Sequence, residues 1–389
     1  MSPTLHTDHE RKQRSHEQAE EEQEVSRIQA LLHDRRKLAT AILVIVLGVV
    51  AIYVLFPQIV GLDGTLDKIG EAKWYWVVGA VAATVLGFGA YVMLFQGVVA
   101  GGRDVEGFRR LDMKASYQIN MAGLAATRIF SAGGAGGIAL TYWALRKAGM
   151  ERRRSACRMV AFLALMYSVY LLALVVFGVL LRTGVLPGEA PVGGTIIPAA
   201  VAGAVILVLV LVALIPGDVE RRIRRVSDHP RAVRIGAKLA AGPATVATGV
   251  RTALAYVRHP RQGAVAILGA IGFWAAQITT LWASFEAFGG NVPFAVLVQG
   301  FFVGMAANLI PSPAGGVGSV DAGMIAAFAL FGQPAEIVFP AVLTYRVIAF
   351  WLPIPPGIVA YFQLRRTVHQ WESEGYTSES KVRAEAEAT

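Results

Sequence analysis

Apolar positions in this sequence come in long unbroken blocks, and polar positions are pushed into the gaps between them. Six blocks approach or exceed the ~20 residues that a helix needs to cross a bilayer: residues 38–56, 74–100, 159–181, 195–215, 263–288 and 336–362. A helix on the surface of a soluble core keeps a polar face, and these blocks have none. Hydrocarbon cannot pair exposed backbone groups, so each block is expected to be a helix with its hydrogen bonds closed internally. Two further regions, 115–145 and 294–331, are apolar but interrupted by glycine and proline. Each is expected to begin and end on one side of the membrane, as a re-entrant hairpin or as two full spans. The pattern thus predicts an all-α integral membrane protein. Its expected form is a polytopic bundle of six full transmembrane helices plus two Gly/Pro-broken re-entrant hairpins.

The polar gaps supply the domain organisation. Residues 1–37 form a charged N-terminal segment with little apolar face to bury, and residues 366–389 form a polar tail; both are expected to be mobile. The transmembrane domain occupies 38–365, with a first half (38–216), a basic loop (217–262) and a second half (263–365). Lys and Arg near span ends set orientation. Arg35, Arg36 and Lys37 put the N-terminus inside, and Arg365 and Arg366 put the C-terminus there too. The first interrupted region lies between two basic loops and so opens inward. The second leaves through residues 332–336, which carry no Lys or Arg, and opens outward.

Charge and composition add limits. Charged residues make up 16% of the chain, against roughly 25% in soluble proteins. The formal net charge of +9 does not imply nucleic acid, because the basic residues sit at span ends and in one loop. That loop, holding Arg221, Arg222, Arg224, Arg225 and Arg231, is expected to lie on the anionic lipids of the inner leaflet. The single cysteine, Cys157, precludes an internal disulfide. No cleaved signal peptide is expected at the N-terminus.

The interrupted regions resemble each other. A shift of 181 residues matches Gln118 to Gln299, Gly123 to Gly304, Ala125 and Ala126 to Ala306 and Ala307, and Ile129 to Ile310. It also matches Ser131 to Ser312, Gly134 to Gly315 and Gly137 to Gly318, giving 8 identities in 20 positions, where about two are expected by chance. Three full spans separate the copies, and an odd number inverts the second relative to the first. Helices broken near the midplane of an inverted repeat are a recurring transporter design. Gly87 and Gly89, isolated in the second block, read instead as glycines for close helix packing.

Few ionisable residues fall inside apolar segments, where they are costly and face a partner or a cavity. Arg128 lies five residues before Gly133, Asp321 follows Gly318 and Ser319, and Arg346 lies ten residues into the last block. Asp321 and Arg346 are candidates for a structural ion pair. The sharper expectation is an anion site: Gly134, Gly137, Ser312, Gly315, Gly316 and Gly318 offer backbone N–H groups at broken helix ends. Arg128 and Arg346 would add charge-assisted donors, with Asp321 holding Arg346 or taking up a proton. Gln118, Asn120, Gln277, Gln299 and Asn308 line a headgroup path or bond between helices. No phosphate loop, no paired metal-ligand spacing among the seven histidines and no nucleophile elbow occurs, so neither an enzyme nor a cofactor is expected.

The run Asn308-Leu309-Ile310-Pro311-Ser312-Pro313-Ala314-Gly315-Gly316-Val317-Gly318-Ser319-Val320-Asp321, followed by Tyr345-Arg346 and Trp351-Leu352-Pro353, resembles a known pattern. It is similar to the membrane region of lysylphosphatidylglycerol synthase/flippase proteins (multiple peptide resistance factor) and their stand-alone relatives. Arg128 to Gly137 resembles that family's first hairpin, and the similarity runs from about residue 38 to 365. Ala314 stands where the family often has glycine, and Asp321 where it commonly has glutamate. The resemblance implies a flippase-like fold with Asp321, Arg346 and the Gly-rich turns around a central cavity. It further implies movement of a lipid between leaflets; with the anion site, the expected substrate is a phospholipid or polyprenyl-phosphate-linked lipid with an anionic phosphate headgroup. With the chain ending at Thr389, a cytosolic aminoacyl-transfer domain is not expected. The reading is a stand-alone flippase-like transporter of the bacterial cell (inner) membrane, compatible with a homo-oligomer. A non-transporting scaffold and a small-solute transporter are the alternatives.

Overall fold

The computed structural model describes residues 70–100, 111–129, 135–214, 245–309 and 316–373, and all regular structure among them is helical. The expected first span (38–56), both tails as delimited above except residues 366–373, and most of the basic loop lie outside these residues. The helices are α1 (Trp74–Ala100), α2 (Met113–Ile129), α3 (Ala135–Lys147), α4 (Arg152–Arg182) and α5 (Ile196–Ala213). After a helical stretch over 245–258 come α6 (Pro260–Ala287) and α7 (Phe294–Met305), which tightens into a 3₁₀ turn, Ala306–Leu309. Then follow α8 (Ser319–Leu330), α9 (Ala335–Arg346), a π-helical turn (Val347–Trp351) and α10 (Ile354–Ser373).

Five helical paths are long and apolar enough to span a membrane: Trp74–Val99, Arg152–Arg182, Ile196–Ala213, Gly263–Ala287 and Ala335–Trp371. They coincide with the five expected spans that fall in the described residues, and the protein is a multi-pass membrane protein. The last path runs on beyond 362, because α10 buries Leu364, Val368 and Trp371 against Phe95, Val99 and Leu111. Apolar residues such as Leu207, Val208 and Leu211 of α5 are exposed, as lipid-facing positions are.

The central pair is α1 against α6, antiparallel and close. Thr84 Oγ1 lies 3.1 Å from Thr280 Oγ1, Gly87 faces Ala276, Gly269 faces Leu94 and Ala90, and Gly97 faces Ala266. A Cβ on Gly97 would stand 2.7 Å from the Ala266 backbone nitrogen, so only glycine permits this separation. Without a hydrophobic drive in lipid, such small-residue contact is what holds helices together. Gly89, by contrast, has nothing within 4 Å and plays no packing part.

The two ends of the bundle differ in charge. At one end Lys73 N–H donates to the Ala287 carbonyl (3.0 Å), and Glu71, Glu189, Glu286 and Glu336 outnumber Lys73 and Arg182. At the other, Arg158 and Tyr256 converge on the Val98 carbonyl. There the helix ends carry Arg146, Lys147, Arg152, Arg153, Arg154, Arg365 and Arg366.

Each broken hairpin starts and finishes at a single end. Leu111, just before α2, and Met150, just after α3, share one apolar cluster at the basic end. Asp112 Oδ1 accepts from the Ala115 N–H (2.7 Å) and so caps α2 there. Phe331 and Gly332, which close α8, lie against Gly194 and Glu189 at the acidic end. Positions matched by the 181-residue shift do similar work. Gly123 packs against Gly137 between the arms of the first hairpin, and Gly304 against Gly323 in the second. Gln118 Oε1 accepts from Thr367 Oγ1 (2.9 Å), while Gln299 Nε2 donates to the Gly194 carbonyl (2.9 Å). Met121 and Phe302 offer their carbonyls to close contacts with Gly357 and with the Tyr170 hydroxyl.

Candidate functional site

Arg128 of α2 and the segment 316–321 that leads into α8 both bond at the π-helical turn or the residue before it. Proline at 353 has no N–H to return to the carbonyl of Ala349, four residues earlier. The chain instead closes a wider turn, with Leu352 N–H bonding the Val347 carbonyl (2.9 Å). Arg128, in the last turn of α2, occupies the space this leaves. Its guanidinium donates to the Ala349 carbonyl (3.0 Å) and to that of Phe350.

Arg346, one residue before the same turn, serves the other hairpin. Its Nε donates to Asp321 Oδ1 (2.7 Å) and its second terminal nitrogen to the Gly316 carbonyl (3.1 Å). The remaining carboxylate oxygen of Asp321 accepts from the Gly318 N–H (2.8 Å). Gly316 (φ 95°) and Gly318 (φ 85°) are left-handed, a conformation that turns the chain into α8 and that side chains disfavour. Asp321 and Arg346 are 3% and 5% exposed, so the ion pair is buried. The Phe350 ring lies under both cations, with its centroid 4.8 Å from the Arg128 Cζ and 4.3 Å from that of Arg346.

Beside this joint is a cavity of about 560 Å³. Arg128, Asn120, Thr127 and Thr141 form part of its polar wall, with Asn308 and Gly316 contributed by the second interrupted region. Arg158 closes the basic end, where it donates to the Val98 carbonyl (2.9 Å) and to the Tyr256 hydroxyl. Tyr91, Phe95 and Phe162 add an aromatic wall, Tyr91 and Phe162 meeting edge to face at 5.3 Å. Among the described residues, no Asp or Glu lines the cavity. On its rim, Ile138, Tyr167 and Leu309 are 47%, 50% and 86% exposed. Tyr167 stands halfway along α4, so this apolar rim lies at mid-height of a membrane-spanning helix.

The family described as Lysylphosphatidylglycerol synthase TM region matches residues 14–357. This chain belongs to that family. The chain also resembles two UPF0104 membrane proteins of Methanothermobacter thermautotrophicus (strain ATCC 29096 / DSM 1053 / JCM 10044 / NBRC 100330 / Delta H). One is 29% identical over 87 residues, 22% of this chain and 26% of the relative; the other is 25% identical over 116 residues, 29% and 34%. The matched segments thus span between a quarter and about a third of these relatives.

For this member of the lysylphosphatidylglycerol synthase TM-region family, the geometry divides the expected site residues. Arg128, Gly137 and Gly316 line the cavity. Asp321 and Arg346 pair with each other and do not line it, and Gly318 orients Asp321. Gly134, Ser312 and Gly315 lie outside the described residues. Of the polar path residues, Asn120 and Asn308 reach the cavity, whereas Gln118 and Gln299 bond between elements. Three contributors were not singled out from sequence. Arg158 reads as one more loop arginine beside Arg152, Arg153 and Arg154; its signal is that it lies more than a helical turn deeper. Phe350 and Tyr91 carry no sequence signal.

Proposed function

We propose that this chain is a flippase-like transporter that passes a lipid with an anionic phosphate headgroup between leaflets. The headgroup, of a phospholipid or of a polyprenyl-phosphate-linked lipid, travels through the cavity while the acyl or polyprenyl tail stays in the bilayer. The observation that carries this reading is a cavity walled by Arg128 and Arg158, with no carboxylate among the described residues that line it, whose rim is exposed and apolar. Two cations without a counter-ion favour an anion. The apolar rim favours an amphipathic substrate over a water-soluble one.

The hairpins are read as re-entrant in an inverted repeat. The described arms of the second, Phe294–Leu309 and Ser319–Leu330, come to about 26 Å and about 18 Å of helix, both short of the ~30 Å hydrocarbon core. The basic end is cytoplasmic by the positive-inside rule, which puts both termini inside a bacterial cell membrane and rests the basic loop on inner-leaflet anionic lipid. Arg128 contacts the headgroup; Asp321 and Arg346 are positioning residues that hold the second hairpin against the joint. No bond is made or broken and no cofactor takes part.

The test is translocation in proteoliposomes, using labelled phosphatidylglycerol, lysyl-phosphatidylglycerol and polyprenyl phosphate, with phosphatidylcholine as control. Wild type is expected to move at least one anionic lipid faster than empty vesicles, and Arg128→Gln to abolish that movement. Folded protein that moves none of them overturns the reading.

A further inference from the structure

Among the described residues, Arg158 is the charged side chain of the cavity wall that takes no part in the joint at the π-helical turn. Its surroundings are unusual for a half-buried arginine. The bonds it makes go to a carbonyl and a tyrosine hydroxyl, Val98 and Tyr256, through one terminal nitrogen. Those partners are neutral, so they hold the guanidinium in place without cancelling its charge. A guanidinium carries five N–H donors, and one nitrogen supplies only two of them. Arg128 is similar: its partners are the carbonyls of Ala349 and Phe350 and the ring of Phe350.

The two arginines occupy different levels of one cavity. Arg158 lies near the basic end of α4, and Tyr167 on the same wall lies nine residues further along, or about 14 Å by helical rise. Arg128 comes in from the tip of α2, at the joint with the second hairpin. Between them the wall is neutral, with Asn120 and Thr141 as hydrogen-bonding groups and Phe162 as an aromatic floor.

We infer that the cavity holds two successive anion subsites, an outer one at Arg158 and an inner one at Arg128, and that a phosphate or phosphodiester group moves from one to the other. This rests on the reading of the cavity as an anion path. The outer subsite recruits the phosphate from the basic face; its guanidinium is pre-oriented by Val98 and Tyr256, with donors left to fork onto two phosphate oxygens. The inner subsite competes for the same group at the joint. A phosphate arriving there takes N–H donors from the Ala349 and Phe350 carbonyls, so occupancy of the inner subsite loosens the contact between the first hairpin and the π-helical turn. A single strong site would trap the anion; two sites of comparable strength let it enter and leave.

Binding is measured on the full chain in neutral detergent, so the result does not depend on transport. The probe is dihexanoyl-phosphatidylglycerol, the neutral-headgroup control is dihexanoyl-phosphatidylcholine, and inorganic phosphate is the free-anion arm. Wild type is expected to bind two equivalents of the anionic probe; Arg158→Gln and Arg128→Gln each keep one, and Arg158→Lys keeps both. Binding of a single equivalent, untouched by Arg158→Gln in protein with an unchanged unfolding midpoint, overturns the inference. Arginine-specific phenylglyoxal footprinting on wild type covers the case in which a variant does not fold. The anionic probe is expected to protect Arg158 at least threefold and the control not at all; equal modification with and without probe overturns it. Protection by inorganic phosphate at similar concentration identifies a free anion as ligand, and protection by the lipid alone a headgroup. Two-site binding without translocation in vesicles would overturn the transport reading and leave this inference standing.

Discussion

Arg128 at the tip of the first hairpin donates to the carbonyl of Ala349, 221 residues further along the chain. The bond exists because Pro353 cannot supply the N–H that an uninterrupted helix would place there. A residue that reads as a helix breaker is thus also the reason a distant arginine has an acceptor. Losing that arginine is expected to be felt in movement more than in folding. Arg128→Gln should cut lipid translocation in proteoliposomes by roughly tenfold or more. Arg128→Lys should recover little, since an ammonium is a point charge that cannot span two carbonyls as a planar fork does.

The same logic makes Pro353→Ala informative. Alanine restores an N–H for the Ala349 carbonyl and lets the π-helical turn tighten. The unfolding midpoint in detergent is expected to stay level or rise, while translocation falls several-fold. A fall in both together would assign Pro353 a purely structural part.

Asp321 and Arg346 are each other's counter-ion, and removing one partner leaves a buried charge. Asp321→Ala and Arg346→Ala are each expected to cost about 3–5 kcal/mol. Asp321→Leu combined with Arg346→Met should lose clearly less than the two single changes added together. Thermal unfolding of all variants, analysed as a double-mutant cycle, measures the coupling.

Two glycines of α1 offer a contrast within one helix. Gly97→Leu drives a side chain into the Ala266 backbone and is expected to destabilise by at least the ~1–3 kcal/mol of ordinary overpacking. Gly89→Leu meets nothing within 4 Å and should be within about 0.5 kcal/mol of wild type. Unfolding midpoints of the two variants side by side check the register of α1 on α6.

Much of the fold was legible because the membrane imposes its own grammar on the chain. Blocks such as 74–100 and 263–288 are read directly from apolarity, since nothing else fits a helix with no polar face. The pairing of Asp321 with Arg346 is legible from the cost of leaving either alone. What does not show is depth and direction. Arg128 and Arg346 look equivalent as intramembrane cations, yet one faces the cavity and the other is committed to a carboxylate. That difference depends on where two hairpins meet, and their contact is set by residues far apart in sequence. Arg158 was hidden differently: it stands next to three arginines that do belong to a loop, and only its extra turn of helix carries it onto the cavity wall. Gly87 and Gly89 likewise look alike, and a rotation of about 200° around the helix axis separates a tight contact from open lipid.

The span between Arg128 and its acceptors also has a meaning in time. A ribosome adding 5–20 residues per second needs about 10 to 45 seconds to travel the 221 residues from Arg128 to Ala349. For that interval the first hairpin is already made while the carbonyls that hold its arginine are not. The nascent protein must therefore shelter a cation in or beside the bilayer, by water, lipid phosphate or the insertion machinery, until the final helix arrives and relieves it.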